Sequence, residues 1–129
     1  MKFYQSRILT GTSFEEVKQK VADCLQTEGF GVLSEIDIKA TLKKKLDKDI
    51  LPHLILGACN PVFADRALEA EPNISVMLPC NVTIKQLAGG EIEVATIDPV
   101  ASMGAVQNSI LQEVAHEVQV RLKRVLDSL

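Results

Sequence analysis

The stretch Leu54-Ile55-Leu56-Gly57-Ala58-Cys59-Asn60-Pro61 is an apolar run that ends in a thiol, an amide and a proline. A short run of this kind is typical of a strand inside the core of a sheet. Asparagine is a preferred N-cap residue and proline suits the first helical position, so the pattern predicts that a helix follows directly and includes residues 62–70. The stretch therefore predicts a buried strand joined to a helix with almost no loop between them.

Cys59 would lie at this junction between strand and helix. Backbone N–H groups and the positive end of a helix dipole stabilise a thiolate, and such positions lower a cysteine pKa to roughly 3.5–7.5. Cys59 is therefore a candidate catalytic residue. The alternative is a structural thiol, because cysteine is among the residue types most often buried.

The composition is that of one globular domain. The chain has 129 residues, of which 47% are hydrophobic and 24% charged, so we predict a single domain over residues 1–129. The net charge of −3 argues against nucleic-acid binding, which requires a concentrated cationic surface. Residues 1–10 lack the apolar core of a signal peptide, and no apolar window is long enough to span a bilayer, so we predict a cytoplasmic protein with no membrane partner. Three cysteines in such a chain indicate reduced thiols.

Hydrophobic periodicity predicts the other elements. Before the central run, it predicts strands at residues 3–9 and 31–38, a helix capped by Ser13 that ends at Gly29, and a short helix within residues 39–51. After the run, it predicts a strand at residues 74–78, a hairpin of residues 82–87 and 91–97, and a final helix at residues 105–126. The order of the main elements, β-α-β-(α)-β-α-β-β-α, predicts an α+β sandwich with helices packed on a mixed or largely antiparallel sheet.

The final helix carries a broad apolar stripe. Leu111, Ala115, Val118, Leu122 and Val125 recur at helical spacing, and further Val, Ile and Leu residues widen the stripe. Such a stripe covers a sheet and leaves apolar surface for a second chain, so we predict a homodimer. One functional hypothesis is accordingly a structural or protein-interaction module that acts through this helix.

Cys59 and Cys80 share a pattern, because each follows an apolar predicted strand and each precedes an asparagine, Asn60 or Asn81. If the two strands run parallel, both thiols emerge at one edge of the sheet, but an intervening strand holds the backbones roughly 9–10 Å apart. If they run antiparallel, the thiols lie at opposite edges. We predict a ligand-binding site for a small molecule or ion formed by these four residues and Asp98, although Asp98 also suits a helix cap.

The helix entrance after Asn60 favours an anionic or electrophilic ligand at such a site. A second hypothesis is a redox or nucleophilic enzyme in which Cys59 reacts and Cys80 resolves the product. No general base is evident for that chemistry, and the residues do not decide whether the protein is an enzyme. The sequence also lacks a phosphate loop, a dinucleotide-binding glycine pattern and a nucleophile elbow, so the cofactor is unknown.

No metal site is predicted. His53 and Cys59 lie at opposite ends of one predicted strand, about 20 Å apart at ~3.3 Å per residue, which is too far to share an ion. Glu113-x-x-His116 places a carboxylate and an imidazole on one helical face, as in half of a di-iron site. The matching half is missing, so a solvated helical face is the interpretation that periodicity favours.

Several short motifs together resemble those of a known family. They are Leu56-Gly57-Ala58-Cys59-Asn60-Pro61, Ala64 with Ala67-Leu68, Leu78-Pro79-Cys80-Asn81-Val82, and Ile97-Asp98-Pro99. In combination they resemble the bacterial and archaeal domain of unknown function numbered 302, over nearly the whole chain. The resemblance implies a compact α+β domain, often the only domain of its protein, and a dimeric association. It implies no catalytic residues, so the function stays open among the three hypotheses.

Overall fold

The chain forms one antiparallel sheet with helices packed on it, in a computed structural model that describes residues 2–129. The strands are β1 (Tyr4–Leu9), β2 (Gly31–Asp37), β3 (His53–Cys59), β4 (Cys80–Gln86) and β5 (Ile92–Ile97). The α-helices are α1 (Phe14–Thr27), α2 (Ile38–Leu46), α3 (Pro61–Ala70), α4 (Pro99–Ser102) and α5 (Ser109–Asp127), and a 3₁₀ helix spans Pro72–Met77. The predicted α+β fold class is confirmed.

The strand order is β1-β5-β4-β3-β2, and every neighbouring pair is antiparallel. The β4-β5 hairpin is confirmed, and Gly90 adopts a φ of 92° in its turn, a conformation that favours glycine. β3 lies between two strands, so both of its edges are hydrogen-bonded. Leu54, Leu56 and Ala58 point to the covered face of the sheet and are buried, which accounts for the apolar residues on that side of the run.

Helices α1 and α5 cover one face of the sheet. On that face Val82, Ile84 and Val94 are fully buried. α1 packs there through apolar residues three and four positions apart, as its periodicity predicts. On the opposite face Ile8 and Ile36 are 54% and 48% exposed, so that face of the sheet is open.

The prediction of a strand at residues 74–78 is wrong. Residues 74–77 belong to the 3₁₀ helix Pro72–Met77, and Leu78 is its C-cap. The Glu71 carboxylate accepts a hydrogen bond from the Asn73 N–H at 3.0 Å and caps the start of this helix. β4 already occupies the position beside β3, so an apolar strand here would have no buried place in the sheet. Val76 is consequently 87% exposed.

The final helix begins later than predicted, because the Asn108 side chain caps it. Asn108 Oδ1 accepts hydrogen bonds from the N–H groups of Ile110 and Leu111 at 3.0 and 3.2 Å. The apolar stripe of α5 is buried inside the chain and comprises Leu111, Val114, Ala115, Val118, Leu122, Val125 and Leu126. Ile110 and Val120 remain 48% and 36% exposed, so α5 offers little apolar surface to a partner. The homodimer stays a prediction.

A helix that crosses a bilayer needs about 20 mostly apolar residues. Within residues 2–129, none of the helices combines the length and apolarity that a membrane crossing requires.

Candidate functional site

Cys59 and Cys80 lie at the same edge of the sheet. Cys59 is the last residue of β3 and Cys80 the first of β4, and in the antiparallel register Ala58 pairs with Cys80. Both predicted arrangements are wrong, because the strands are antiparallel and adjacent, yet the thiols share an edge. The reason is that Cys80 begins a strand instead of following one. The connection from Asn60 to Pro79 leaves this edge and returns to it.

The Cys80 thiol is held in its protonated form. Burial, together with the neighbouring Cys59 thiol, raises the pKa of Cys80 to about 11. Both cysteines are half-buried and neither forms a disulfide. Since the thiolate is the nucleophile in thiol chemistry, this pKa does not favour Cys80 as the resolving partner of a redox pair.

An apolar pocket of about 230 Å³ opens beside the two cysteines. It lies between the β3-β4 edge of the sheet and helices α3, α4 and α5. Its buried wall consists of Phe30, Ala58, Asn60, Ala67, Pro99, Met103, Val114, Ala115 and Val118. Its rim, where the side chains are more exposed, consists of Leu33, Cys59, Phe63, Ala64, Leu78, Pro79 and Cys80. Within residues 2–129, no charged or imidazole side chain lines this pocket, so it suits an apolar ligand.

Asn60 occupies the predicted N-cap position of α3, but its side chain does not cap the helix. The residue is 8% exposed, and its Nδ2 donates a hydrogen bond to the Glu28 carbonyl oxygen at 3.2 Å. Arg121 Nη1 donates to the same carbonyl at 3.1 Å, and its guanidinium lies 5.0 Å from the centroid of the Phe63 ring. These contacts hold the start of α3 against the end of α1 and against α5.

Asp98 caps helix α4. Its Oδ1 accepts hydrogen bonds from the N–H groups of Val100 and Ala101 at 3.0 and 3.4 Å. The same oxygen accepts from Gln119 Nε2 at 2.9 Å, which ties α4 to α5. The cap that the sequence offered as the alternative role of Asp98 is therefore formed, and the residue does not line the apolar pocket.

Asn81 is exposed and lies opposite Gly57 in the register of β3 and β4. Successive side chains of a strand point to opposite faces, so Asn81 and Cys80 face different sides of the sheet. Asn81 does not line the apolar pocket. Of the predicted site residues, the pocket thus brings together Cys59, Asn60 and Cys80, and it leaves out Asn81 and Asp98.

The residues considered for metal binding lie apart. His53 and Cys59 occupy opposite ends of β3, and burial, helped by the Lys85 ammonium, lowers the pKa of His53. His116 is exposed on α5. Across the part of the chain that the structure describes, no three His, Cys, Asp or Glu side chains form a group able to hold a metal ion.

Most residues that line the pocket were not predicted from the sequence. Phe30, Phe63 and Met103 come from separate segments, and apolarity was their only signal. Ala115 belongs to the predicted stripe of the final helix, and Ala67 belongs to α3, which packs against α5. Two small residues on facing helices leave space between them, and this is the signal that points to a pocket.

Fold and site together define an α+β sandwich domain with an apolar pocket at one edge of an antiparallel sheet. Residues 6–129 match the family described as "Domain of unknown function DUF302", and the chain belongs to this family. The resemblance inferred from the short motifs is thereby confirmed.

A solved structure is similar along the whole chain. It is described as the crystal structure of the uncharacterized conserved protein DUF302 from Bacillus stearothermophilus. It shares 27% sequence identity with this chain, with a TM-score of 0.91, and the alignment covers 99% of this chain and 98% of that one. A comparison with curated proteins finds no match.

Proposed function

We propose that this protein binds a small apolar molecule in the pocket at the β3-β4 edge of the sheet. The observation that carries the proposal is a pocket of about 230 Å³ with an almost wholly apolar lining. Apolar cavities of about 150 Å³ hold a benzene-sized molecule, so this volume accommodates one ring with a substituent. It is smaller than the roughly 300–1,000 Å³ of typical drug-sized ligand sites, which disfavours a large cofactor.

A thiol-dependent redox or nucleophilic enzyme is less well supported. Cys59 lies at the rim, where a bound electrophile would come close to its sulfur. However, the pKa of Cys80 is about 11, and the described lining residues include no His, Lys, Asp or Glu that could act as a general base. The pocket therefore supports binding better than thiol catalysis.

A titration with toluene tests the binding proposal. The amide chemical shifts in NMR spectra report the binding. We expect the largest shifts at Ala58, Ala67 and Ala115, which line the buried wall. A dissociation constant of about 0.1–1 mM is expected, because seven carbon atoms supply only about 4–6 kcal/mol of binding free energy. If these amides do not shift up to the solubility limit of toluene, the proposal fails.

A matched pair of variants localises the binding. Ala64 lies at the rim of the pocket on α3, whereas Ala40 is exposed on α2. Ala64→Leu adds three carbon atoms at the rim and is expected to weaken toluene binding at least tenfold. Ala40→Leu makes the same chemical change away from the pocket and should leave the binding unchanged. Equal effects of the two substitutions would place the ligand elsewhere.

We also infer a homodimer, formed through the open face of the sheet. That face carries the exposed side chains of Ile8 and Ile36. Lys85 and Glu93 form an ion pair of 3.1 Å on the same face. A two-fold axis that lies parallel to this face and between Lys85 and Glu93 would bring each charge near its opposite in the second copy.

Light scattering on wild type and two variants tests this interface. Ile36→Lys should convert the dimer to a monomer, whereas Ile110→Lys, which changes the exposed part of α5, should leave the dimer intact. A dimer that is kept in Ile36→Lys and lost in Ile110→Lys would instead indicate an interface on the C-terminal helix. A wild-type monomer at about 100 µM, a concentration that detects the roughly micromolar affinities of weak dimers, would remove the proposal.

The proposed compartment is the cytoplasm. Cys24, Cys59 and Cys80 are all free thiols. Free thiols are the usual state of cysteine in a reducing compartment, so they support this assignment.

A further inference from the structure

The orientation of the Asn60 amide leaves its carbonyl oxygen without a hydrogen bond. Nδ2 donates to the Glu28 carbonyl, which only accepts hydrogen bonds, so the amide nitrogen must point toward Glu28 and Oδ1 away from it. The first turn of α3 does not use Oδ1, because the side chain makes no cap hydrogen bond. Among residues 2–129, no hydrogen bond to Oδ1 is formed.

Asn60 is also the one amide side chain among the described residues that line the pocket. It is 8% exposed and belongs to the buried wall of the pocket, whose other wall side chains are hydrocarbon or, at Met103, thioether. A carbonyl oxygen in such surroundings loses free energy when a ligand covers it without donating a hydrogen bond. A ligand that fills the pocket and donates one hydrogen bond avoids this loss.

The charge of the pocket determines which donors fit. Within the described chain, no cationic side chain lines the pocket, and Pro61 lacks the N–H that the first position of α3 would otherwise offer. The anionic ligand that the helix entrance predicts therefore has no cationic side chain to pair with here, and one of the backbone N–H groups of the first turn is missing. A cationic donor also has no partner for its charge, because the described lining residues include no carboxylate.

We propose that the pocket selects a compact neutral molecule that carries one O–H or N–H donor, of the size of phenol, and that Asn60 Oδ1 accepts this hydrogen bond. The inference rests on the proposed function and adds the chemical class of the ligand to it. Asn60 is then the specificity-determining residue of the site.

Phenol and toluene form a matched pair of probes, because they differ only by a hydroxyl in place of a methyl group. A purely apolar pocket favours toluene, since phenol must give up its hydrogen bonds to water. We expect wild-type protein to bind phenol at least as tightly as toluene, measured by calorimetry or by NMR titration. Tighter binding of toluene by tenfold or more would overturn the inference while leaving the proposed function intact.

Variants at Asn60 and Arg121 separate the two roles of the Asn60 side chain. Asn60→Leu removes Oδ1 and should shift the phenol-to-toluene affinity ratio about tenfold toward toluene. Arg121→Gln removes the other side-chain donor to the Glu28 carbonyl and should leave the ratio unchanged. An unchanged ratio in Asn60→Leu, or an equal shift in both variants, would contradict the role of Oδ1.

A third probe keeps the test independent of the folding of Asn60→Leu. Anisole keeps the phenolic oxygen but has no donor, so wild-type protein should bind it about tenfold more weakly than phenol. Equal binding of the two would overturn the inference. Failure of toluene, phenol and anisole alike would instead overturn the proposed function, and the inference with it.

Discussion

Ala58 faces Cys80 across the antiparallel pair of β3 and β4. This register sets Cys59, the next residue of β3, beside Cys80 at the same edge of the sheet. Both cysteines line the rim of one apolar pocket, although they belong to different strands. The chemistry of the rim therefore depends on how one strand pairs with its neighbour.

The Cys80 thiol should react slowly in the folded protein. Its pKa is raised to about 11 by burial and by Cys59, whereas an unperturbed cysteine has a pKa of about 8.5. At pH 8 we expect iodoacetamide to modify Cys80 on the order of a hundredfold more slowly in the folded chain than in urea, because the thiolate is the reactive form. Peptide mass spectrometry measures the rate for each cysteine. Similar rates in the folded and unfolded chains would contradict this prediction.

His53 should make the protein less stable in weak acid. Burial and the Lys85 ammonium lower the pKa of His53 below 6.5, so the unfolded chain binds this proton more tightly than the folded chain. The folded protein favours the neutral form of His53. The stability that this form contributes is present in full above pH 6.5 and declines as the pH falls below that value. His53→Gln should reduce the loss of unfolding free energy between pH 7 and pH 5, measured by urea denaturation. An equal loss in wild type and His53→Gln would contradict this prediction.

Gly57 should not tolerate a side chain. A Cβ at this position would lie 2.8 Å from Pro79 Cγ and would also meet Ser34 Oγ. The serine side chain can rotate away, but the proline ring cannot, so Gly57→Ala is expected to lower the free energy of unfolding by about 1–3 kcal/mol. Gly31→Ala is the control, because no atom lies within 4 Å of its added Cβ. Urea denaturation should show a change of at most about 0.5 kcal/mol for the control.

Asp98 should matter for stability and not for ligand binding. Its Oδ1 accepts two backbone hydrogen bonds at the start of α4 and one from Gln119. Asp98→Ala should lower the free energy of unfolding by about 1–2 kcal/mol, while Asp98→Asn, which retains an acceptor oxygen, should cost less. Neither variant should change the affinity for toluene, because Asp98 does not line the pocket. Weaker toluene binding in Asp98→Asn would contradict this prediction and would mean that Asp98 takes part in ligand binding.

The sequence-based predictions were correct where an element depends on residues that lie close together in the chain. Helix α1 was predicted from the Ser13 cap and its apolar spacing, and the Ser13 side chain accepts the Glu16 N–H at 3.2 Å. The β4-β5 hairpin was predicted from two alternating segments around Gly89 and Gly90. Both elements depend on residues close together in the chain, so their sequences are sufficient evidence.

The failures arose where an outcome depended on distant parts of the chain. Residues 74–78 are apolar enough for a strand, but the sheet has no place for them beside β3, because β4 pairs there. Asn60 has the residue type of a helix cap, yet its amide binds the Glu28 carbonyl, which packing brings within 3.2 Å. In both cases the local preference was real and a tertiary contact determined the outcome.

The sequence by itself determined the α+β class, most of the strands and helices, and the presence of Cys59 where a buried strand meets a helix. These features follow from apolar periodicity and capping residues, which act over a few positions of the chain. Only the tertiary structure decided that Cys80 joins Cys59 at one edge and that an apolar pocket opens beside them. The physical reason is that strand register and the gaps between helices are set by the packing of segments far apart in the chain, which no local pattern encodes.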